Sequence, residues 1–482
     1  AVASRERSLL VSAAAGSGKT KVLVERLFSY VEREGANLDD FLIITYTRAA
    51  ASELRGKIAK ALTERMERDP GNYHLRQQML RVYRADIKTV DAFCTALLRE
   101  NCHLLGEDAR GHALRPDFRV LDENEAQVLR ERVLARTLDD FYDCLTPGGT
   151  LLADTLGAGR DDSALEDLVL ELHAKLQAQP YEDKWLEAQR AFWHAVPDKI
   201  EDTPYGKILL NEVRRKARHC KNLLQRAAQE MCANDALNQK YAPAFLDASY
   251  QLEALEGKTA EGWDAARGVT IAFPRLAAVK DSDGGEMKAR MKSLWDNCKE
   301  TVKGFAEIFS ASSDEAVEDL RTMASAMLAL IDLTADFSRR YNEEKRRRNS
   351  ADFSDQEHEA IRLLIGEDGT PTELARTVST RYREIMVDEY QDTNEVQNRI
   401  FDAISCKGED LFTVGDVKQS IYRFRLADPR IFLQHYNTWP PLAQAGEHES
   451  AKLLLSRNFR SRKEVLEATN FIFTNVLSAE MG

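Results

Sequence analysis

Short apolar runs alternate with longer amphipathic stretches toward both ends of the chain. The runs with the length of buried strands are residues 9–12, 41–45, 385–387 and 411–414. Each ends in a polar or glycine-containing turn, and helical periodicity follows at residues 21–34 and 49–67. Buried strands that alternate with helices predict an α/β fold class, in which a parallel sheet carries helices on both faces. Ligands of such sheets bind at the C-terminal ends of the strands.

The middle of the chain has a different pattern. Between about residue 105 and residue 345, strand signals nearly disappear and long amphipathic helical patterns take their place. These patterns cover residues 123–142, 163–177, 207–232 and 313–340. Turn residues at 146–150 and 280–285 predict loops between the helices. We therefore predict a large all-helical domain inserted into the α/β domain.

Composition narrows the class of protein. With 482 residues, of which 43% are hydrophobic and 30% charged, the chain suits roughly three ordered, helix-rich folding units. Its net charge of −12 argues against a protein whose whole surface binds a polyanion, although a local basic groove is compatible with it. Basic clusters lie at residues 214–218 and 345–348, where we favour a solvated helix face over a nucleic-acid contact.

Cysteine usage and apolar content indicate the compartment. The 7 cysteines are scattered without a C-x-x-C pair, so we predict neither a disulfide framework nor a zinc or iron–sulfur site. No apolar stretch approaches the length of a membrane span, and the first residues lack the apolar core of a signal peptide. We therefore expect a cytoplasmic protein without membrane contact. Because the chain begins without Met, we also expect a trimmed or excised segment.

Residues 13–20 (AAAGSGKT) lie between an apolar run and a helical pattern. In that setting, small residues let backbone N–H groups surround a phosphate, Lys19 reaches the β- and γ-phosphates, and Thr20 offers a hydroxyl to Mg²⁺. Ala13 replaces the first glycine of the usual pattern, which is tolerated if its φ is negative. A simple small-residue turn is the alternative. We predict that a nucleoside triphosphate is bound by Ala15, Gly16, Ser17, Gly18, Lys19 and Thr20.

Two carboxylates directly follow a downstream apolar run, in residues 384–392 (EIMVDEYQD). This segment has the form of a Walker B element. In such an element Asp388 holds Mg²⁺, and Glu389 orients or deprotonates the water that attacks the γ-phosphate. For this segment alone, an acidic strand end that caps a helix is an equal alternative.

A third polar segment follows the next apolar run, in residues 414–425 (VGDVKQSIYRFR). Gln419 is suited to sensing the γ-phosphate. Tyr422 and Phe424 are flanked by arginines and are suited to stacking on nucleic-acid bases. Packing in the core is the alternative for each aromatic residue.

Five segments, taken in order, carry a family resemblance. They are residues 13–20, 45–54 (TYTRAAASEL), 388–392 (DEYQD), 415–425 (GDVKQSIYRFR) and 458–461 (NFRS). In this order they resemble the motifs of superfamily 1 helicases of the UvrD/Rep type. Within that group the chain most resembles the helicase part of the AddA (RexA) subunit of bacterial ATP-dependent helicase–nucleases, with RecB a near relative. This further resemblance is carried by residues 11–20, 89–94 (TVDAFC), 116–123 (PDFRVLDE) and 352–355 (DFSD).

The resemblance implies a RecA-like P-loop domain that binds and hydrolyses ATP with Mg²⁺. Thr20 and Asp388 would hold the metal, and Phe459 would stack on adenine. The catalytic residues would be Lys19, Asp388, Glu389, Gln419 and Arg460, with Arg460 as an arginine finger. The path of single-stranded DNA would be lined by Tyr46, Phe93, Tyr422, Phe424 and Arg425.

The resemblance also implies a domain order and a role in the cell. The RecA-like domain would occupy 1–105 and 346–450, the helical insertion 106–345, and the start of a second RecA-like domain 451–482. Relatives of this kind translocate 3′ to 5′ on single-stranded DNA, process duplex ends at double-strand breaks, and work with an AddB-type partner subunit. Because the chain stops soon after residue 461, we expect an N-terminal fragment that lacks the nuclease and has weak or no activity alone.

Two other functions compete with a DNA motor. The first is a non-catalytic assembly module that binds nucleotide and DNA without turnover. The second is a P-loop kinase, which is disfavoured because no lid for a substrate phosphate is evident. The adjacent carboxylates of Asp388 and Glu389 also suit activation of water rather than transfer to another substrate.

Overall fold

The structured residues form two compact units. A computed structural model of the chain describes residues 1–108, 110–156, 163–280, 285–405, 408–421 and 426–476. The α/β unit consists of the described residues of Ala1–Thr146, Ala153–Glu187 and Leu330–Arg462. The helical unit consists of the described residues of Pro147–Leu152, Ala188–Ala329 and the chain from Lys463 onward.

A six-stranded parallel sheet forms the centre of the α/β unit. In chain order the strands are β1 (Leu9–Ala13), β2 (Phe41–Thr45), β3 (Asp86–Thr89), β4 (Arg119–Val120), β5 (Ser350–Ala351), β6 (Glu384–Val387), β7 (Leu411–Gly415) and β8 (Ala451–Leu455). The sheet order is β3-β2-β6-β7-β1-β8, and β4 pairs separately with β5. Because β6, β7 and β1 are parallel neighbours, the segments that follow them leave the same edge of the sheet.

Helices make up most of the remaining described chain. In chain order they are α1 (Lys19–Glu34), α2 (Arg48–Arg68), α3 (Tyr73–Arg81), α4 (Val90–Asn101), α5 (Glu123–Asp143), α6 (Pro147–Leu156), α7 (Ser163–Gln177), α8 (Glu182–His194), α9 (Pro204–Met231), α10 (Asp235–Lys240), α11 (Ala242–Lys258), α12 (Trp263–Arg267), α13 (Gly285–Ile308), α14 (Ser313–Arg347), α15 (Phe353–Leu364), α16 (Glu373–Arg381), α17 (Glu395–Ile404), α18 (Pro429–Thr438) and α19 (Lys463–Val476). Short 3₁₀ helices include Tyr390–Asp392 and Val417–Gln419. Among the described residues, no helix combines the length and apolar character needed to cross a bilayer.

Alternate residues of each strand face opposite layers of helices. Leu9 and Val11 lie in a buried cluster with apolar residues of α1, α2 and α3. Leu10 lies in a second cluster with residues of α4, α15, α16 and α17. Since successive side chains of a strand point to opposite faces, these clusters are the two sides of one sheet. The predicted α/β fold with helices on both faces is confirmed.

A buried ion pair fixes α1 against β6. Arg26 of α1 is 0% exposed, and its Nε donates to Glu384 Oε2 at 2.8 Å. The hydroxyl of Tyr30 donates to the other oxygen of Glu384 at 3.0 Å. A buried carboxylate with these partners is satisfied, and it connects the helix after the first motif to the strand before the DEYQD segment.

The helical unit has a core of its own. Apolar residues of α9, α10, α11, α12 and α13 form one buried cluster, in which Phe245 stacks on Trp295 with ring centroids 4.8 Å apart. The start of α9 shows why its sequence begins a helix. Pro204 occupies the first turn, where its missing N–H leaves no bond unmade, and Thr203 Oγ1 accepts from the Gly206 N–H at 3.0 Å.

One predicted loop is wrong. The Pro and two Gly of residues 146–150 predict a turn between helices, but α6 begins at Pro147. Proline is compatible with the first turn of a helix. A Cβ on Gly148 would lie 2.3 Å from the backbone oxygen of Ser325, so glycine permits close packing here. The predicted loop at 280–285 lies mainly outside the described residues.

Candidate nucleotide-binding site

The loop between β1 and α1 adopts a conformation that requires glycine at two positions. Gly16 has a φ of 73° and Gly18 a φ of 90°, both in the left-handed region. The N–H of Ser17 donates to the carbonyl of Ala14 at 3.0 Å, which closes a tight turn. Ala13 is the last residue of β1, so its extended backbone accommodates the Cβ that replaces the usual glycine.

The first turn of α1 is open to an anion. Gly18 is its N-cap, no side chain caps the helix, and no acidic residue lies in the first turn. The N–H groups and the positive end of the helix dipole therefore remain available to a ligand. In the described part of the chain, the buried Oγ of Ser17 has no hydrogen-bond partner. A phosphate group fits both features because it is an anion with several acceptor oxygens.

Lys19 and Glu389 form an ion pair where the segments after β1 and β6 meet. Lys19 Nζ lies 2.6 Å from Glu389 Oε2, and the two side chains are 12% and 43% exposed. Glu389 has a φ of 53°, a left-handed conformation that costs a non-glycine residue on the order of 1 kcal/mol. The sequence therefore maintains a strained glutamate that faces the phosphate loop, as is typical of functional positions.

Carboxylates near Lys19 carry perturbed pKa values. Burial raises the pKa of Asp388 to about 6, and the adjacent charge of Glu389 adds to this shift. Burial and the same charge raise the pKa of Asp392 to about 6. Within the described chain, Asp392 Oδ1 is buried without a hydrogen-bond partner. This negatively charged group is therefore suited to a cation.

The donor set fits Mg²⁺ bound together with phosphate. The described residues contain no group of three or more His, Cys, Asp or Glu side chains that could hold a metal ion by themselves. Mg²⁺ at phosphate sites usually takes only one or two protein ligands, because phosphate oxygens and waters complete its octahedron. Thr20 at the start of α1 and Asp388 after β6 supply a hydroxyl and a carboxylate of that kind.

Gln391 connects the segment after β6 to the segment after β7. It is 1% exposed, and its Nε2 donates to Glu389 Oε2 at 2.9 Å. Its Oε1 accepts from the backbone N–H of Asp416 at 2.8 Å. Asp416 Oδ2 in turn accepts from Gln419 Nε2 at 2.7 Å. Sequence reasoning missed Gln391, although it lies within the DEYQD segment.

The segment after β8 contacts the phosphate loop. Asn458 Nδ2 donates to the carbonyl of Ala15 at 2.7 Å, and the Phe459 N–H donates to the carbonyl of Gly16 at 2.9 Å. The Asn458 Oδ1 accepts from the N–H of Arg460 at 2.8 Å, which forms a side-chain-stabilised turn. Arg460 and Phe459 are thus held beside the loop with exposed side chains. Sequence reasoning also missed Asn458, whose signal is an asparagine at the start of a turn.

The aromatic residues predicted to contact DNA have different surroundings. The hydroxyl of Tyr46 forms a hydrogen bond with the hydroxyl of Thr393, directly after the DEYQD segment, and burial raises the pKa of Tyr46. Phe93 is 5% exposed and packs in the core beneath α4, so it presents little surface to a base. Three further predicted DNA contacts lie outside the described residues, namely Tyr422, Phe424 and Arg425.

Acidic neighbours neutralise parts of both basic clusters. On α9, Arg218 Nε lies 2.7 Å from Glu256 Oε1. At the end of α14, Lys345 is 1% exposed, and its Nζ lies 2.8 Å from Asp352 and 2.6 Å from Asp355. Lys345 therefore differs from the solvated face predicted for its cluster, because two carboxylates enclose its ammonium group.

Known proteins match this chain along its length. Residues 1–440 match the family model of the UvrD/REP helicase N-terminal domain. An ATP-dependent helicase/nuclease subunit from Acetivibrio thermocellus is 35% identical over 504 residues, covering 100% of this chain and 39% of the relative. The proteins of the same name from Desulfitobacterium hafniense (37% identical, 98% of this chain, 35% of the relative) and Clostridium beijerinckii (32%, 100% and 39%) are also similar. The chain spans less than about two fifths of the length of these relatives.

Proposed function

Because this chain belongs to the UvrD/REP helicase N-terminal domain family, we propose that its α/β unit is the ATP-hydrolysing domain of a motor that translocates along single-stranded DNA. The ion pair between Lys19 Nζ and Glu389 Oε2, at 2.6 Å, carries the proposal. It places the residue suited to the β- and γ-phosphates beside the residue suited to the attacking water. Hydrolysis requires that arrangement, whereas simple nucleotide binding does not.

The residues at the sheet edge divide the work of hydrolysis. When bound, Mg-ATP supplies a γ-phosphate whose charge the metal neutralises. Thr20 and Asp388 hold the metal. Lys19, together with the open N–H groups of α1, orients the phosphates. Glu389 orients the attacking water and accepts its proton.

Three further residues complete the proposed site. Gln419 contacts the γ-phosphate and reports its presence to the turn after β7. Arg460 stabilises the charge that develops during phosphoryl transfer, in the manner of an arginine finger. Phe459, whose side chain is 73% exposed, stacks on the adenine ring.

The proposal extends to the larger protein. We propose 3′ to 5′ movement on single-stranded DNA, with Tyr46, Tyr422, Phe424 and Arg425 along the path. The name of the relatives, which describes part of a helicase/nuclease, supports action at duplex DNA ends in double-strand-break repair, with an AddB-type partner in the bacterial cytoplasm. We also propose that the RecA-like domain occupies residues 1–105 and 346–450 around a helical insertion.

The test is ATP hydrolysis by the full-length protein with and without single-stranded DNA. Measurements at about 50 and 200 mM salt are needed, because phosphate contacts weaken as salt rises. We expect DNA to stimulate hydrolysis strongly at low salt. We also expect Lys19→Met to abolish the stimulated rate.

The alternative function gives a different result in the same experiment. A non-catalytic assembly module would bind single-stranded DNA and nucleotide with no turnover at either salt concentration. Hydrolysis that Lys19→Met leaves unchanged would contradict the assignment of the site.

A further inference from the structure

Gln391 is held in one orientation by a donor that has no alternative role. Its Oε1 accepts from the backbone N–H of Asp416 at 2.8 Å, and a backbone N–H can only donate. The amide oxygen must therefore face Asp416, which leaves the NH₂ group facing Glu389 Oε2 at 2.9 Å. Gln391 is thus an obligate donor to the carboxylate of Glu389.

The packing around Gln391 permits little movement. Its side chain is 1% exposed, and the end of β7 approaches it closely at Gly415. A Cβ on Gly415 would lie 2.6 Å from Gln391 Oε1 and 2.9 Å from a ring carbon of Phe432. A glycine is therefore needed where the strand passes the amide, and the amide is confined between two motif segments.

The carboxylate of Glu389 has two side-chain donors among the described residues. One is Lys19 Nζ at 2.6 Å, and the other is Gln391 Nε2 at 2.9 Å. If Lys19 turns to the phosphates of a bound nucleotide, as the proposed function requires, its hold on Glu389 weakens. Gln391 then remains as the group that fixes the carboxylate, whose side chain is 43% exposed and free to rotate otherwise.

We propose that Gln391 is a positioning residue that holds the Glu389 carboxylate toward the attacking water and couples it to Gln419 through Asp416. The inference rests on the proposed hydrolysis of ATP and names how that site is regulated. A shift of Gln419 on γ-phosphate contact moves Asp416, whose Oδ2 it binds at 2.7 Å. That shift reaches Glu389 through one buried amide, so Glu389 is oriented when the γ-phosphate is in place.

Two substitutions in the full-length protein separate orientation of Glu389 from support of the turn after β7. Gln391→Glu keeps an acceptor for the Asp416 N–H but removes the donor to Glu389. Gln391→Met removes both. We expect each to lower the DNA-stimulated kcat at least about tenfold, because misplacing a catalytic group by a small distance has effects of this size. The Kd for a fluorescent ATP analogue should change less than about threefold, since Gln391 does not contact the phosphate loop.

A buried glutamine elsewhere provides the matched control. Gln78 is 0% exposed, its Oε1 accepts from the Leu38 N–H, and its Nε2 donates to Asn37 Oδ1. Gln78→Glu therefore introduces the same buried carboxylate in the same bonding pattern, and it should leave kcat unchanged.

The outcomes are distinguishable. If Gln391→Glu keeps kcat within about twofold of the natural protein while Gln391→Met loses it, Gln391 only supports the turn and the inference is overturned. An equal loss of kcat in Gln78→Glu would overturn it as well, because the effect would then be general. If the unsubstituted protein shows no DNA-stimulated hydrolysis, the proposed function itself fails.

Discussion

At Asp388, function and stability make opposite demands. Its carboxylate is suited to Mg²⁺, yet burial raises its pKa from 3.8 to about 6, which means that the folded protein opposes the charged form. Glu389 is similar, because its left-handed backbone is strained. The sequence identified both carboxylates from their position after an apolar run. It could not identify the partner Gln391, because the hydrogen bond to Asp416 depends on a contact between segments that follow two different strands.

The substitution Asp388→Asn should stabilise the protein in a pH-dependent way. A raised folded pKa means that the folded state binds the proton more tightly, so the free energy of unfolding falls as pH rises from about 4 to about 6. An asparagine side chain cannot ionise, so the variant should exceed the natural protein by on the order of 1 kcal/mol at about pH 7.5, and less at about pH 5. Calorimetry across this range measures the difference. An equal or lower stability of the variant at the higher pH would contradict the burial argument.

At the scale of elements, the strands found from sequence are the four central strands of the sheet. β1, β2, β6 and β7 are buried on both faces and therefore read as continuous apolar runs. β3 and β8 are the edge strands, and their alternating or partly exposed residues resemble polar connections. The loop predicted at 146–150 failed for a related reason, since glycine marks a close helix contact there. Local patterns report burial well and packing distance poorly.

Two helix glycines should respond in opposite directions to alanine. In α13, a Cβ on Gly304 meets nothing within 4 Å, so Gly304→Ala should stabilise the helical unit by about 0.5–1 kcal/mol through its helix propensity. In α9, a Cβ on Gly206 would lie 1.9 Å from the Ile200 carbonyl oxygen. Gly206→Ala should therefore destabilise the unit by about 1–3 kcal/mol. Denaturant unfolding of both variants tests the pair, and equal effects would show that contact distance does not decide the sign.

At the scale of the whole molecule, the chain contributes to one sheet from two distant segments. β1, β2 and β3 come from the first 89 residues, whereas β6, β7 and β8 begin only at residue 384. The change from strand to helical periodicity predicted an insertion, and the ordered motifs predicted the family that the comparison with known proteins confirms. The domain boundaries and the roles of the site residues remain predictions. Periodicity assigns residues to elements but contains no information on where one compact unit ends.

Nucleotide should protect the two units unequally. A ligand that binds only the folded α/β unit stabilises it by about 2.7 kcal/mol at a concentration of 100 times its Kd. Hydrogen exchange with a non-hydrolysable ATP analogue and Mg²⁺ should therefore slow in β1, α1, β6 and β7, with little change in α9 and α11. Equal slowing throughout α9 and α11 would contradict a nucleotide site confined to the α/β unit.

The central claim is that the pair of Lys19 and Glu389 belongs to a hydrolytic site, and Glu389→Gln tests it most directly. The measurement is DNA-stimulated ATP hydrolysis by the full-length protein, with ATP binding measured on the same samples. Glutamine keeps the size of the side chain and cannot accept the proton from water, so we expect binding within about threefold and turnover reduced by about 10²–10⁴-fold. Retained turnover with normal binding would show that Glu389 is not the base, and would contradict the account.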